Sequence, residues 1–210
     1  MSAVASPAEQ RMILRDISWE TYIRLCDENQ SPATRMFYDE GILEIVTVSS
    51  EHERFKWALE HVFEALAEGF DIDFENLGHT TFRRRDLQKA FEPDTCFYVK
   101  RISAVRGKSE IVLPSDPAPE LVVEVDISRS SLQKLPLFAA MGVGEVWRYE
   151  GSQIMIFRLS SGEYAEVEES TMLPGVTSAV LTRLIDESLT MTRTGWLRHV
   201  RQWAQDYRPR

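Results

Sequence analysis

The run Leu121-Val122-Val123-Glu124-Val125 constrains the fold of this chain more than any other stretch. A near-continuous β-branched segment suits a strand buried on both faces. The same strand carries acids at Glu124 and Asp126. An acid at the end of an apolar strand is expensive to bury unless it is paired or metal-bound.

The pattern on either side alternates helices and strands. Ser18 is placed to cap a short helix over residues 19–27. Met36-Phe37-Tyr38 and Ile42-Leu43-Glu44-Ile45-Val46 read as a hairpin whose turn, Asp39-Glu40-Gly41, carries the glycine. Over residues 51–68, Phe55, Leu59, Val62 and Leu66 recur at three- and four-residue steps, which predicts a helix. Residues 78–82 and 94–99 are short strand candidates separated by a charged loop. After the central strand a helix is expected over 131–141, ended by Gly142. Strands follow at 145–149, 153–159 and 164–167, with Glu150-Gly151-Ser152 and Ser160-Ser161-Gly162 as turns. Helices near 178–188 and 195–206 close the chain. On the last of these, Trp196, Val200 and Trp203 form an apolar docking face and Arg198 and Arg201 lie on its other side. The order is that of a mixed α/β domain rather than of regular βα repeats.

At 43% hydrophobic and 27% charged, 210 residues can bury one sizeable core with room for a terminal extension. Residues 1–12 read as a flexible start, with Ser2 to Gln10 fraying, 13–190 as the domain, and 191–210 as a basic helix docked on it. No apolar run approaches the ~20 residues that span a bilayer, and the start does not read as a secretory signal. Cys26 and Cys96 lack disulfide-framework or metal spacing, so a reduced, cytoplasmic protein is expected. A net charge of −9 argues against broad adhesion to nucleic acid. The charge is uneven, however: Arg193, Arg198, Arg201, Arg208 and Arg210 crowd the end, and Arg83-Arg84-Arg85 form a second cluster. Both read either as solvated surface or as places to hold a phosphate backbone.

Chemistry is most economically placed around the central strand. Pleating puts Glu124 and Asp126 on one face. With Asp94 from a neighbouring strand they make the oxygen-rich nest that Mg²⁺ prefers. The plainer reading gives Asp126 to a cap or turn and pairs Glu124 with an arginine. Lys134, early in the following helix, could fold back over the strand's end. There it could position an attacking water and stabilise charge developing on phosphorus; as a plain surface lysine it would do neither. Pro136 follows it closely. If Ser130 caps the helix, Pro136 lies beyond the first turn, so the helix starts later or is kinked. Helical phase relative to Phe55 turns Glu51 and His52 toward the sheet, as accessory acid and water-orienting group, and Glu53 toward water.

Pro93-Asp94, then Glu124-Val125-Asp126, then a lysine displaced onto the next helix resembles the PD-(D/E)XK nuclease superfamily. More narrowly, the chain is similar to a bacterial family of restriction-endonuclease-like proteins long filed as a domain of unknown function. The matching stretches are Tyr38-Asp39-Glu40-Gly41-Ile42-Leu43-Glu44-Ile45, Ser50-Glu51-His52-Glu53-Arg54, Thr80-Thr81-Phe82 and Glu92-Pro93-Asp94-Thr95-Cys96-Phe97-Tyr98. They continue through Leu121 to Ser128, Ser130-Ser131-Leu132-Gln133-Lys134 and Gly142-Val143-Gly144-Glu145-Val146-Trp147-Arg148-Tyr149, in order over nearly the whole chain.

The resemblance implies a restriction-endonuclease-like core, a mixed central β-sheet flanked by helices. It implies Asp94 and Glu124 as ligands of Mg²⁺ or Mn²⁺, the carbonyl of Val125 as a further ligand, and Lys134 as the relocated catalytic lysine of a DNA phosphodiesterase. In the superfamily that lysine stands two residues after the second acid, where this chain has Asp126. The departure leaves an alternative open, a catalytically degenerate module that binds nucleic acid or a protein partner. Nucleases of this fold that cut both strands are commonly dimers, so a homodimer is a further expectation.

Overall fold

A computed structural model describes residues 9–29, 31–127 and 134–207. The fraying expected of Ser2 to Ala8, the cap at Ser130, the helix start at Ser131 and the terminal Arg208 and Arg210 lie outside them. The chain does not fray as far as Gln10. Strand β1 (Gln10–Leu14) pairs antiparallel with β3 (Ile42–Thr47), which corrects the flexible start assigned to residues 1–12.

Helix α1 (Trp19–Glu28) starts at Ser18, whose Oγ accepts from the N–H of Thr21. Strand β2 (Thr34–Asp39) turns into β3 through Glu40 and Gly41, at φ +47° and +92°. Two successive positive φ values are what a two-residue hairpin requires. Helix α2 (Ser50–Phe70) is capped by Ser49, which accepts from the N–H of His52 and so fixes where that histidine leaves the helix. Residues 78–81 form no strand. The pairing instead uses β4 (Glu75–Asn76), β5 (Phe82–Arg84) and β6 (Lys89–Phe91), followed by β7 (Thr95–Tyr98), the single turn α3 (Ile102–Val105) and the central β8 (Leu121–Asp126). Helix α4 (Lys134–Met141) carries Pro136 as its third described residue. It ends at Gly142, φ +83°, with N–H groups of Gly142 and Val143 reaching back to the carbonyls of Ala139 and Phe138. Then come β9 (Glu145–Glu150), β10 (Gln153–Ser160), β11 (Glu163–Val167), α5 (Ser178–Thr190) and α6 (Arg193–Tyr207).

Two sheets result. One is six-stranded, ordered β11-β10-β9-β8-β7-β4, and mixed because β8 and β9 run parallel. The other is five-stranded, ordered β1-β3-β2-β6-β5. The alternation of β8 explains the layering. Leu121, Val123 and Val125 pack with Phe55, Leu59, Leu184 and Trp196 of α2, α5 and α6. Val122 joins Phe37, Phe82 and Phe91 of the second sheet and Phe138 and Met141 of α4. Trp19 and Tyr22 of α1 cover the outer side of the second sheet, on Tyr38 and Leu43. Helices, sheet, sheet and helix thus stack in order, and every residue of β8 is buried, as its composition demanded. Among the described residues no helix is long and apolar enough to cross a membrane.

Candidate active site

On its second-sheet side, β8 offers two carboxylates to an otherwise apolar interface. The antiparallel register pairs Thr95 with Val123. One step further, Asp94 falls opposite Glu124. Asp94 Oδ2 accepts from the N–H of Val125 at 2.8 Å, and the N–H of Asp94 donates to Glu124 Oε1 at 3.3 Å. His52, in the first turn of α2, brings Nε2 to 3.0 Å from Asp94 Oδ2. Lys134, opening α4, reaches back as the spacing allowed. Its Nζ lies 2.5 Å from Glu124 Oε2 and 3.6 Å from Asp126 Oδ1, over the ring of Phe37.

Asp126 is held from two further directions, by Arg11 Nη2 at 3.0 Å and Arg148 Nε at 2.8 Å. Arg11 also pairs with Glu9 and Glu44, and Arg35 bridges Asp94 at 3.9 Å and Glu53 at 3.6 Å.

Asp94, Glu124 and Asp126 are only 3%, 1% and 4% exposed. Three carboxylates that dry require compensation, and the lysine, the arginines and the histidine provide it. Burial alone would raise Asp94, but His52, Lys134 and the Val125 N–H outweigh it and hold the carboxyl below its ordinary value. Glu124 goes the other way: burial, reinforced by Asp94 and Asp126 and opposed by Lys134, pushes it up to about 7. Burial would lower Lys134, yet Glu124, Asp126 and Asp94 keep it raised and charged. Burial likewise opposes protonation of His52, and its contact with Asp94 overrides that.

Among the described residues no group of three or more His, Cys, Asp or Glu side chains forms a metal cage. The donor chemistry nevertheless fits Mg²⁺ or Mn²⁺. Mg²⁺ keeps several waters and commonly takes only one or two carboxylates together with substrate phosphate. Asp94 and Glu124 are hard-oxygen donors set opposite each other, and the raised Glu124 marks negative charge that a divalent cation would offset.

Burial of an acid does not by itself make a site in this fold. Glu120 accepts from three backbone N–H groups, of Val99, Lys100 and Arg101. Glu145 accepts from Trp147, Ser170 and Thr171. Both are structural carboxylates satisfied by the chain. The Asp94–Glu124–Asp126 group differs in being met mostly by charged side chains.

Some expectations need correcting. Glu51 is exposed and does not share the cluster with His52. It stands about 100° round the helix from His52, on the side near Tyr149 rather than Asp94. Glu53, expected in water, instead lies 3.6 Å from Arg35, although its side chain is still 46% exposed. The Arg83-Arg84-Arg85 run is not one patch. Arg84 grips Asp86 through two bonds, Arg85 pairs with Glu20, and Arg83 turns inward over the Tyr22 ring. Arg198 is exposed, and Arg201 pairs with Glu68 at 3.3 Å. At ~1.5 Å per residue, Glu68 is roughly 24 Å along α2 from His52.

The sequence reading passed over Arg11, Arg35, Glu44 and Arg148. The signal was present for three of them. Arg35, Glu44 and Arg148 are charges inside apolar strand segments, as conspicuous as Glu124 itself. Arg11 carried no such mark, because its strand was read as loose chain.

The solved structure of a "putative nuclease belonging to DUF820" from Anabaena variabilis is similar to this chain with a TM-score of 0.54 at 15% identity, over 90% of this chain and 99% of that one. At that identity the likeness speaks for the fold. No curated protein matches the chain. The model of the family described as "Putative restriction endonuclease" matches residues 19–192. That span runs from α1 past the end of α5 and holds the whole polar cluster except Glu9 and Arg11, so the chain belongs to the Uma2 family of restriction-endonuclease-like proteins.

Proposed function

We propose that this chain is a nuclease that hydrolyses phosphodiester bonds of DNA with Mg²⁺ or Mn²⁺ at the Asp94–Glu124–Lys134 cluster. The observation that carries the reading is Lys134, whose ammonium stands 2.5 Å from Glu124 although it springs from α4 and not from β8. The superfamily's strand position is Asp126 here, and Lys134 brings a cation to that neighbourhood from the next element. Asp94 and Glu124 would hold the ion, with the Val125 carbonyl as a further ligand. When bound, the ion polarises a phosphoryl oxygen and acidifies a water. Lys134 contributes a fixed positive charge where negative charge builds on phosphorus, in a site dry enough for that charge to count. His52 orients Asp94 through its Nε2 contact, and Arg11 and Arg148 hold Asp126 beneath the lysine. Family membership supports a nuclease-like activity.

A second reading, a degenerate module that binds nucleic acid or a protein partner without cutting, is favoured by the two arginines on Asp126 and by the lack of a three-ligand group among the described residues. Titration calorimetry with Mn²⁺ and Mg²⁺ separates the two. The nuclease reading expects saturable binding by the wild type, lost in Glu124→Gln. Absence of binding by a folded wild type hands the cluster to the second reading.

A further inference from the structure

Beside the cluster lies a cavity of about 290 Å³ whose wall includes Ser31, Thr34, His79, Thr81, Arg83 and Glu92. Its lining is dominated by hydroxyls and charge, unlike the mostly apolar pockets that take drug-like ligands. Arg83 is the notable member. Among the described residues it has no carboxylate partner. Its neighbours are the neutral Tyr22 hydroxyl and Cys26 thiol, and its buried Nε has no hydrogen-bond partner. A guanidinium in that condition offers its fork of donors to an anion, and a phosphate fits that fork bidentately.

Glu92 on the same wall feels the charge of Arg83 but makes no ion pair with it, its oxygens being bonded elsewhere. Its Oε1 accepts from Thr81 Oγ1 at 2.8 Å and its Oε2 from the N–H of Met36 at 2.9 Å. The carboxylate is thus fixed in place, with lone pairs left for a donor entering the cavity.

The cavity and the cluster share a wall. Arg35 donates through Nη1 to the carbonyls of Pro32 and Thr34 on the cavity rim, at 2.7 and 3.1 Å. The same guanidinium has Nε 3.9 Å from Asp94 Oδ1. A strand lying across the cluster therefore has, one side chain away, a polar cavity whose guanidinium makes no carboxylate ion pair among the described residues.

We propose that this cavity is a mononucleotide subsite. Arg83 takes the phosphate of a nucleotide that flanks the scissile bond, and Glu92, Thr81 and His79 face its sugar and base. The place of the subsite in a reaction rests on the nuclease reading; its capacity to bind does not. At about 290 Å³ the cavity stands just below the range for ligand pockets, roughly 300 Å³ upward. A pocket of that size would take at most one unpaired nucleotide and not a base pair. The substrate class is therefore DNA that is single-stranded, or has one base turned out, next to the cut.

The test is binding in EDTA, without metal, so that the cluster's ion plays no part. Thymidine 5′-monophosphate, thymidine and inorganic phosphate are titrated by calorimetry into wild type, Arg83→Gln, Arg83→Lys and Lys134→Ala, with melting curves to confirm folding. The proposal expects saturable binding of the monophosphate, weakened about tenfold or more in Arg83→Gln and less in Arg83→Lys, and kept in Lys134→Ala. Affinity within about twofold of wild type in a folded Arg83→Gln overturns it. So does a wild type that does not bind the monophosphate, and so does inorganic phosphate binding as tightly as the nucleotide, which would leave a bare anion site. Cleavage assays keep the two readings apart. A wild type that binds the nucleotide but cuts nothing retains the subsite and loses the nuclease. A wild type that cuts, with Arg83→Gln cutting gapped and single-stranded DNA equally fast, retains the nuclease and loses the subsite.

Discussion

Lys134 is asked to do two things at once, and they can be separated by mutation. Its ammonium compensates the buried Glu124, and in the proposed reaction it stabilises charge at phosphorus. Lys134→Ala should reduce cleavage by about 10²-fold or more, the scale of losing one preorganised electrostatic group. It should also lower the melting temperature, because a buried carboxylate loses its partner. Lys134→Arg should recover only part of the activity, since a planar fork does not replace a compact ammonium. An alanine variant that cuts at the wild-type rate would make the lysine a structural counter-charge alone. Glu120 provides the contrasting case of an acid with no part in the chemistry. Burial opposes its ionisation, but the N–H groups of Val99, Arg101 and Lys100 and the charge of Arg101 outweigh it, so its folded pKa lies below the ordinary value. A depressed folded pKa gives stability that is full above the unfolded value, ~4.3, and is lost as pH falls through the folded one. Glu120→Gln should therefore cost about 1–3 kcal/mol at neutral pH, and the difference from wild type should shrink as acid protonates the native carboxylate. Urea titrations at neutral and acid pH check both the size and the sign. A penalty that grew in acid would contradict the assignment.

At the scale of elements, α2 organises the molecule, carrying His52 at one end and the crossing with α6 at the other. Gly69 makes that crossing close: a Cβ there would stand 2.5 Å from the Cβ of Ala204. Gly69→Ala should destabilise by about 1–3 kcal/mol through overpacking, against the usual gain of Ala over Gly in a helix. Ala204→Gly in the same chain should restore part of the loss. Chemical denaturation of the two singles and the double measures that coupling, and strict additivity would place the crossing elsewhere. The elements themselves were legible where a local rule and the tertiary demand agreed. The Glu40-Gly41 turn, the apolar stripe of α2, the β8 run and the Gly142 stop are all cases of this kind. They were not legible where pairing supplied what local sequence lacks. Gln10–Leu14 becomes a strand because β3 offers it an edge, and β4, β5 and β6 are too short to carry a period of their own. The site followed the same division. Asp94, Glu124 and Lys134 could be read as acids beside an apolar strand and a cation soon after it. Arg11 could not, because its importance depends on β1 lying along β3. Glu51 was misplaced because a helical phase fixes direction around the axis but not whether a sheet extends beneath the first turn.

The whole molecule carries a formal net charge of −9. Arg84, Arg85 and Arg201 are each paired with an acid on the surface. Broad electrostatic capture of duplex is therefore a weak source of affinity, and in the proposed function recognition would fall to the polar cluster and the cavity beside it. The architecture suits that arrangement. Helices α2, α5 and α6 bury one face of the six-stranded sheet, and the second sheet closes over the other. The Asp94–Glu124 pair is thereby left between two rigid layers, where a small displacement of charge is strongly felt. The most direct test of the account is cleavage of single-stranded circular and supercoiled plasmid DNA by the purified chain with Mg²⁺, Mn²⁺ or EDTA, alongside Asp94→Asn. The expected result is cutting by the wild type that requires the divalent ion and is abolished in a folded Asp94→Asn. A wild type that leaves both DNAs intact with either ion, or an Asp94→Asn variant that cuts as fast as wild type, would contradict it.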